Sequence, residues 1–261
     1  MSMIEAALDD LRRLHPRIID LGLSRIERVL GALGRPQDRL PPSIHVAGTN
    51  GKGSTVAQLR AMLEASGARA HVYTSPHLVR FNERIVLAGK EISDAVLIDV
   101  LHRVRDANDG APLSFFEATT AAAFLAFSEH PADYVIVEVG LGGRFDATNV
   151  FTPTVCAITP IDYDHAEFLG RDLAGVAREK AGIIKPSVPV FSAPQHDLVG
   201  TVLRGEAEKA RAPLQSSGED FRAYAQQGRM IFETYKELLD LPLPALPGDH
   251  QIMNAGLATA M

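Results

Sequence analysis

The chain has 261 residues, of which 46% are hydrophobic, and a formal net charge of -6 with a pI near 5.8. This length and composition allow one large domain with a sizeable core, whereas an acidic chain without a basic face does not suit nucleic-acid binding. No apolar run in the sequence approaches membrane-spanning length. The single cysteine, Cys156, excludes an internal disulfide, so we expect a cytoplasmic protein with neither nucleic-acid nor membrane partners.

Two amphipathic helices are predicted near the amino terminus. Apolar residues recur at helical spacing from Ile4 to Leu11, and a second apolar stripe runs from Leu23 to Leu30. Gly34 and the prolines that follow it end the helical pattern and lead into an extended segment.

The next stretch, 44–55, has the features of a phosphate-binding loop. An apolar strand runs into a glycine-rich turn, and helix-forming residues take over from Thr55. Glycine N–H groups and the positive end of the helix can hold an anion, Lys52 can reach the β- and γ-phosphates, and a hydroxyl can bind Mg²⁺. Gly53 is inserted after Lys52 and departs from the common G-x-x-x-x-G-K-[ST] form. The predicted nucleotide-binding residues are Gly48, Thr49, Asn50, Gly51, Lys52, Gly53, Ser54 and Thr55.

Apolar strands and helices alternate through the following part of the chain. Strands are predicted at 70–73, 134–139, 155–158 and 188–191, and helices at about 94–107, 115–128 and 199–212. This alternation indicates a doubly wound, mostly parallel α/β sheet flanked by helices, with ligands at the carboxyl ends of the strands. Beyond it, 221–235 is interpreted as a hairpin and 241–248 as an extended connector.

Polar side chains follow three of these strands at the predicted ligand-binding edge. Ser75 follows the strand at 70–73, Glu138 lies near the end of the strand at 134–139, and His165 follows the strand at 155–158. Hydroxyl and carboxylate oxygens suit Mg²⁺, so Ser75 and Glu138 are candidate ligands beside phosphates held by Lys52. Histidine is an unusual ligand for Mg²⁺, and its chemistry alone favours a supporting role for His165.

Seven motifs in this order resemble those of the folylpolyglutamate synthase/dihydrofolate synthase family, which belongs with the Mur ligases to the ATP-dependent amide ligases. They lie at 48–54, 74–78, 81–85, 116–120, 138–149, 164–165 and 178–183. The inserted Gly53 is typical of this family. The resemblance implies a Mur-type ATP-binding domain over 1–246, a monomer, and a truncated chain in which 247–261 form the linker and first helix of a missing carboxy-terminal ligase domain.

The resemblance also implies a reaction in folate biosynthesis. The carboxylate of dihydropteroate or a folate attacks the γ-phosphate of ATP, and the amine of L-glutamate then displaces phosphate from the acyl phosphate. Asn254 would contact the nucleotide, and catalytic roles would fall to Lys52, His165 and Lys180. Dihydrofolate synthesis and polyglutamylation share this chemistry, so the motifs do not separate them, and we expect a bifunctional enzyme.

Two Mg²⁺ ions are implied by the same resemblance. Ser75 and Glu138 would bind the first ion, and His165 would serve the second. Lys180 would be carboxylated by CO₂, which converts a cation into an oxygen ligand for the second ion. Without the resemblance, Lys180 is interpreted as a solvated side chain at a charged helix end.

Substrate contacts are expected on two stretches that the family motifs cover. An aromatic ring can stack on a pteridine, and a carboxylate can pair with its amino group. On the residues alone, the aromatic side chains fit core packing equally well, and threonines in an Ala-rich helix can bond back to the preceding turn. The expected substrate-binding residues are Phe116, Glu117, Thr119, Phe145, Asp146 and Ala147.

Two alternatives stay open. Another Mur-type amide ligase could act on a different acid, such as a peptidoglycan precursor, although the motifs around Phe116 and Asp146 argue against it. A shortened chain could also bind nucleotide or a partner without catalysis.

Overall fold

The computed structural model describes residues 3–13, 22–163 and 172–261. Within these ranges the main sheet contains β1 (Ser43–Ala47), β2 (Ala70–Tyr73), β3 (Ile85–Leu87), β4 (Lys90–Glu91), β5 (Tyr134–Glu138), β6 (Val155–Ile158), β7 (Val190–Ser192) and β8 (Leu214–Ser216). A second sheet contains β9 (Phe221–Gln226), β10 (Arg229–Thr234) and β11 (Leu238–Pro242).

The helices in the same ranges are α1 (Met3–Arg12), α2 (Ser24–Ala32), α3 (Lys52–Ala65), α4 (Asp94–Asn108), α5 (Phe115–Glu129), α6 (Leu173–Lys180), α7 (Asp197–Ala210) and α8 (Asp249–Ala260). None of these described helices is long and apolar enough to cross a membrane.

The main sheet has the order β4-β3-β2-β5-β1-β6-β7-β8. The strands from β2 to β8 in this order run parallel to one another, and β3 and β4 add an antiparallel hairpin at one edge. This topology confirms the predicted doubly wound, mostly parallel sheet. Because β1 lies between β5 and β6, the loop that follows β1 lies near the centre of the carboxyl edge.

Apolar side chains cover both faces of the sheet, as expected for strands buried between helices. Ile44 and Val46 of β1 face a core shared with α3, α8 and the second sheet. On the opposite face, Val135 and Val137 of β5 pack with α1, α2, α4 and α5. Ala47 belongs on that face to a further cluster formed with β6, α6 and α7.

Three short strand regions differ from the sequence prediction. The β3–β4 hairpin turns through Ala88 and Gly89, which both have positive φ, and its strands are too short to show an alternating pattern. Strand β8 has three residues and lacks an apolar run. Strand β11 ends at Pro242 on a sheet edge, where proline is tolerated, so the segment interpreted as a connector begins as a paired strand.

Helix α8 packs against α3 and β9. Its residues Ala255, Leu257 and Ala258 are buried in the core that also contains Val46 and Leu59. The assignment of 247–261 to the beginning of a further domain stays a prediction. The structure shows that this helix also completes the core beneath the loop after β1.

The buried helix α5 begins at a capping box. The Oγ atom of Ser114 accepts the Glu117 N–H at 3.2 Å, and the Glu117 carboxylate accepts the Ser114 N–H at 2.7 Å. Ser93 caps α4 more weakly, because its Oγ atom lies 3.4 Å from the Val96 nitrogen and the residue is exposed.

We expect Ser114→Ala to lower the free energy of unfolding by about 1 kcal/mol, because it removes a buried helix cap. Urea denaturation followed by circular dichroism measures this loss. Ser93→Ala is the matched control and should cost less. An equal loss in the two variants would show that the burial of the Ser114 cap adds nothing.

Candidate active site

The loop between β1 and α3 has the geometry of an anion-binding loop. Gly48 and Gly51 have φ values of 144° and 85°, a region that side chains disfavour. Helix α3 begins at Lys52, earlier than the predicted start at Thr55, and Gly51 provides no side-chain cap for its first turn. The first N–H groups of α3 therefore point toward the space above the loop, where an anion can accept them.

Two other segments, the residues after β6 and helix α8, are in close contact with the glycines of this loop. A Cβ atom on Gly48 would lie 1.9 Å from Thr159 Oγ1, and one on Gly51 would lie 2.4 Å from Asn254 Oδ1. The N–H groups of Thr49 and Asn50 donate to the Pro160 carbonyl at 2.9 and 3.2 Å. The loop is therefore held between the end of β6 and helix α8, and its glycines are required by close contact as well as by φ.

The Lys52 side chain folds back over the glycine loop that precedes it. Its Nζ atom donates to the carbonyls of Gly48 at 3.0 Å and Thr49 at 3.2 Å. Ser54 Oγ accepts a hydrogen bond from Gln251 at 3.2 Å. Thr55 is fully buried, and its Oγ1 atom is without a hydrogen-bond partner among the described residues. Of the two candidate hydroxyls, only that of Ser54 belongs to a residue that reaches the surface.

Glu138 is a buried carboxylate beside the phosphate loop. It is 5% exposed, accepts the Ser75 N–H at 3.3 Å, and would lie 4.0 Å from a Cβ atom on Gly53. Burial raises the pKa of Glu138 to about 7, although the Lys52 charge and the Ser75 N–H oppose this rise.

This environment fits Mg²⁺. A nearby cation would offset the cost of burying the Glu138 charge, and the carboxylate and the Ser75 hydroxyl are the hard oxygen donors that the ion prefers. The described part of the chain contains no group of three or more His, Cys, Asp or Glu residues that could hold a metal. One carboxylate and one hydroxyl suit an ion that keeps its waters and binds phosphate oxygens.

Lys180 reaches the same loop from the end of α6. Its side chain is buried, with 2% of its surface exposed, and its Nζ atom donates to the Gly48 carbonyl at 2.9 Å. The interpretation of Lys180 as a solvated side chain is therefore wrong, because tertiary contacts bury this side chain although Arg178 beside it is exposed. His165, predicted beside the same loop, lies outside the described residues.

The loop after β5 runs between two predicted site residues. The Phe116 ring lies against Gly140, where an added Cβ atom would be 2.4 Å from the ring Cζ atom. Gly143 lies against the end of α6, 2.9 Å from the Lys180 carbonyl by the same measure. Phe145 is exposed at 47%, so this loop presents an aromatic ring to solvent.

Four predicted substrate residues are buried behind this surface: Glu117, Thr119, Asp146 and Ala147. Both Glu117 oxygens accept Arg25 Nε at 3.1 Å, and the carboxylate also closes the α5 capping box. Thr119 is fully buried and donates to the Phe116 carbonyl at 3.1 Å. Ala147 is 5% exposed. The interpretation of Thr119 as bonding back to its helix is therefore confirmed. The polar atoms of Glu117 and Thr119 have partners within the protein, and their expected ligand contacts stay predictions.

Three residues near the site, Gln251, Thr148 and His45, were not predicted from the sequence. Gln251 donates to Ser54, and its Oε1 atom accepts from Asn254 at 3.1 Å. Gln251 precedes Asn254 by three residues, so helical spacing places both on one face and could have identified it. Thr148 and His45 bond to each other beneath the loop after β5, and no local sequence signal pairs them.

Comparison with known proteins gives one family. The profile described as Mur ligase middle domain matches residues 46–261. The dihydrofolate synthase/folylpolyglutamate synthase of Bacillus subtilis is 37% identical over 271 positions, covering 98% of this chain and 63% of that protein. The protein of the same name from Escherichia coli is 36% identical over 247 positions, covering 94% of this chain and 58% of that protein.

Solved structures show the same similarity. E. coli FolC in complex with DHPP and ADP has a TM-score of 0.92 at 35% identity, covering 99% of this chain and 61% of that one. An FPGS–AMPPCP–folate complex has a TM-score of 0.89 at 33% identity, covering 100% of this chain and 66% of that one. The chain thus spans about three fifths of the length of these relatives.

The contact between Gly51 and Asn254 gives a stability prediction. Gly67 has φ of 88° with nothing within 4 Å, so Gly67→Ala should cost roughly 1–2 kcal/mol of unfolding free energy from backbone strain alone. Gly51→Ala should cost more, because Asn254 is buried and bonded to Gln251 and cannot move aside freely. Urea denaturation compares the two variants, and equal losses would contradict the close contact.

Glu138 gives a pH-dependent prediction. Between pH 4.5 and about 7 the folded chain holds a proton on Glu138 that the unfolded chain has released, so wild-type stability falls as pH rises. Relative to wild type, Glu138→Gln should therefore gain up to about 3 kcal/mol across this window and no more above it.

Urea denaturation in magnesium-free buffer from about pH 3 to 8 measures the gain and its control. Glu129→Gln is the control of opposite sign, because a hydrogen bond from Arg103 lowers the pKa of Glu129. The Glu129 variant should lose stability relative to wild type as the pH rises to 4.5, and the difference should stay nearly level above that pH. A flat difference for Glu138→Gln would contradict the raised pKa.

Proposed function

The chain belongs to the family of Mur ligase middle domains, and we propose that it is the ATP-binding part of a ligase that joins L-glutamate to dihydropteroate and to folates. One observation carries the proposal: Lys52 and Lys180 both donate to the Gly48 carbonyl, while the buried Glu138 lies beside Gly53 of the same loop. This arrangement sets the Lys52 ammonium, the buried Lys180 nitrogen and the Glu138 carboxylate around the space above an uncapped helix end. It suits a triphosphate and its counterion.

The proposed reaction needs no nucleophile from the protein. The substrate carboxylate attacks the γ-phosphorus of ATP, the bond to ADP breaks, and an acyl phosphate forms. The amine of L-glutamate then attacks the acyl carbon, releases phosphate and loses a proton to give the amide. The protein contributes position and charge compensation. Lys52 and the N–H groups at the beginning of α3 hold the phosphates, and Asn254 and Gln251 hold the loop from the α8 side.

The proposed ligands of the first metal ion lie beside the same loop. Ser75 and Glu138 would hold one Mg²⁺, and His165 and carboxylated Lys180 would serve a second ion. When bound, Mg²⁺ would neutralise charge on the phosphoryl group. Burial of Lys180 supports carboxylation, because a carbamate keeps one N–H for the Gly48 carbonyl while it adds two oxygens.

The proposed substrate surface is the loop after β5. Phe116 offers aromatic surface against Gly140, and Phe145 is exposed in the loop that also contains the buried Asp146. Glu117 and Thr119 support Phe116 from below through the helix cap and the hydrogen bond to its carbonyl. Ala147 adds packing. Relatives solved with DHPP or with folate support a substrate of this class.

Turnover by this chain is a proposal, because it spans about three fifths of its relatives. A cytoplasmic location and a monomeric state stay predictions, as does the choice between dihydrofolate synthesis, polyglutamylation and both. A different acid substrate is the alternative that binding experiments separate most directly.

We expect Lys52→Ala to weaken binding of Mg-AMPPCP by about a hundredfold, because it removes a charged donor from the phosphate loop. Isothermal titration of the 261-residue chain measures the dissociation constant. Lys90→Ala, on the exposed β4, is the matched control and should bind as wild type does. Unchanged affinity in the Lys52 variant would contradict its assignment.

Titration with 7,8-dihydropteroate tests the substrate class in the same chain. Binding of both ligands supports the folate-type ligase. Binding of nucleotide without dihydropteroate would favour a different acid, and failure to bind nucleotide would contradict the proposal as a whole.

A further inference from the structure

A chain of buried polar groups lies beneath the loop after β5. His45 of β1 and Thr148 are fully buried, and His45 Nε2 lies 2.9 Å from Thr148 Oγ1. The Thr148 hydroxyl in turn donates to Asp146 Oδ1. Asp146 is 2% exposed. A strand residue is thus connected, through two hydrogen bonds, to a carboxylate more than a hundred positions later in the sequence.

The chemistry of these groups determines which atom donates in each of the two hydrogen bonds. Burial lowers the pKa of His45 to about 3, so its imidazole is neutral near pH 7. Because the single Thr148 hydrogen goes to the carboxylate, its oxygen must accept from His45. His45 therefore carries its proton on Nε2. Its Nδ1 atom is buried without a hydrogen-bond partner in the described ranges, which agrees with this tautomer.

The bonds end on the group that closes the loop. Asp146 Oδ2 accepts the Leu141 N–H at 2.8 Å, and Oδ1 also accepts the Thr148 N–H at 2.9 Å. The segment 140–146 is therefore tied back onto itself. Burial raises the pKa of Asp146, whereas the bonds from Thr148 and Leu141 oppose that rise. These bonds favour the ionised carboxylate but do not cancel the effect of burial, so the pKa of Asp146 stays above its ordinary value.

The tied segment borders both sides of the proposed site. Gly140, at its beginning, lies against the Phe116 ring, and Gly143 lies against the end of α6 at Lys180. His45 belongs to the strand that carries the phosphate loop three residues later at Gly48. A change in the orientation of Asp146 would therefore move the surface beside Phe116, whereas Lys52, which bonds to Gly48 and Thr49, makes no hydrogen bond to this segment among the described residues.

We propose that His45 and Thr148 are positioning residues for the dihydropteroate side of the site, where they orient Asp146 so that it closes the 140–146 loop. This assignment rests on the proposed function. The hydroxyl of Thr148 is the group that matters, because it both accepts from His45 and donates to Asp146.

Paired substitutions at Thr148 test the proposal. Thr148→Val keeps the shape of the side chain and removes the hydroxyl, whereas Thr148→Ser keeps the hydroxyl. Thr148→Val should weaken 7,8-dihydropteroate binding by about tenfold to a hundredfold, because small displacements of positioning groups carry costs of this size. Mg-AMPPCP binding should change less than twofold. Thr148→Ser should restore dihydropteroate binding to near wild type, and Thr201→Val on the exposed α7 serves as a control.

Two results in these titrations would overturn the proposal. Equal weakening of both ligands would show a general loss of structure, and unchanged dihydropteroate binding would show that the hydroxyl has no positioning role. If Thr148→Val does not fold, His45→Phe replaces it, since it removes the donor to Thr148 with an aromatic ring of similar size. The same two-ligand criterion then applies.

A measurement without substrate separates this proposal from the proposed function. Nitrogen-15 NMR of the imidazoles should show His45 as the neutral tautomer protonated on Nε2, and the Leu141 amide should exchange at least tenfold faster in Thr148→Val. Should wild type fail to bind dihydropteroate, the proposed function fails. The His45 tautomer and the Leu141 exchange rate would still support the hydrogen bonds from His45 through Thr148 to Asp146. A His45 proton on Nδ1, or an unchanged Leu141 exchange rate, overturns the proposal.

Discussion

The loop between β1 and α3 depends on close contact at two glycines. Thr159 and Asn254 approach Gly48 and Gly51 so closely that neither position has room for a Cβ atom. This contact joins three parts of the chain, since Thr159 follows β6 and Asn254 belongs to α8. The loop can therefore keep its N–H groups directed at an anion without any side-chain cap. Loop shape is thus a property of the whole sheet edge.

Buried charge is the second constraint on this site. Glu138 and Lys180 are both buried beside the phosphate loop, although burying isolated charges is costly. Each is held by backbone groups, Glu138 by the Ser75 N–H and Lys180 by the Gly48 carbonyl. Such residues are poorly explained by stability alone, and they are typical of sites that bind charged ligands. This pattern, rather than fold alone, supports the proposed ligase chemistry.

The agreement between predicted and observed elements depends on their length and burial. Long apolar strands and helices were predicted well, because burial on both faces of a parallel sheet leaves a continuous apolar run. The β3–β4 hairpin, β8 and β11 were missed, because edge strands of two to five residues lack such a run. The ion pair of Glu117 with Arg25 was not predicted, because it joins residues 92 positions apart, whereas the bond from Thr119 to the Phe116 carbonyl is local and was predicted.

The sequence by itself determined the strand, glycine loop and helix of the phosphate-binding segment, and the alternation that sets its fold class. Those features are local, because periodicity and glycine spacing act within a few residues. Only the tertiary structure decided that Lys180 is buried against Gly48, that α8 presses on Gly51, and that His45 bonds Thr148. These contacts join residues from about one hundred to two hundred positions apart, and their free energy depends on packing that no local pattern records.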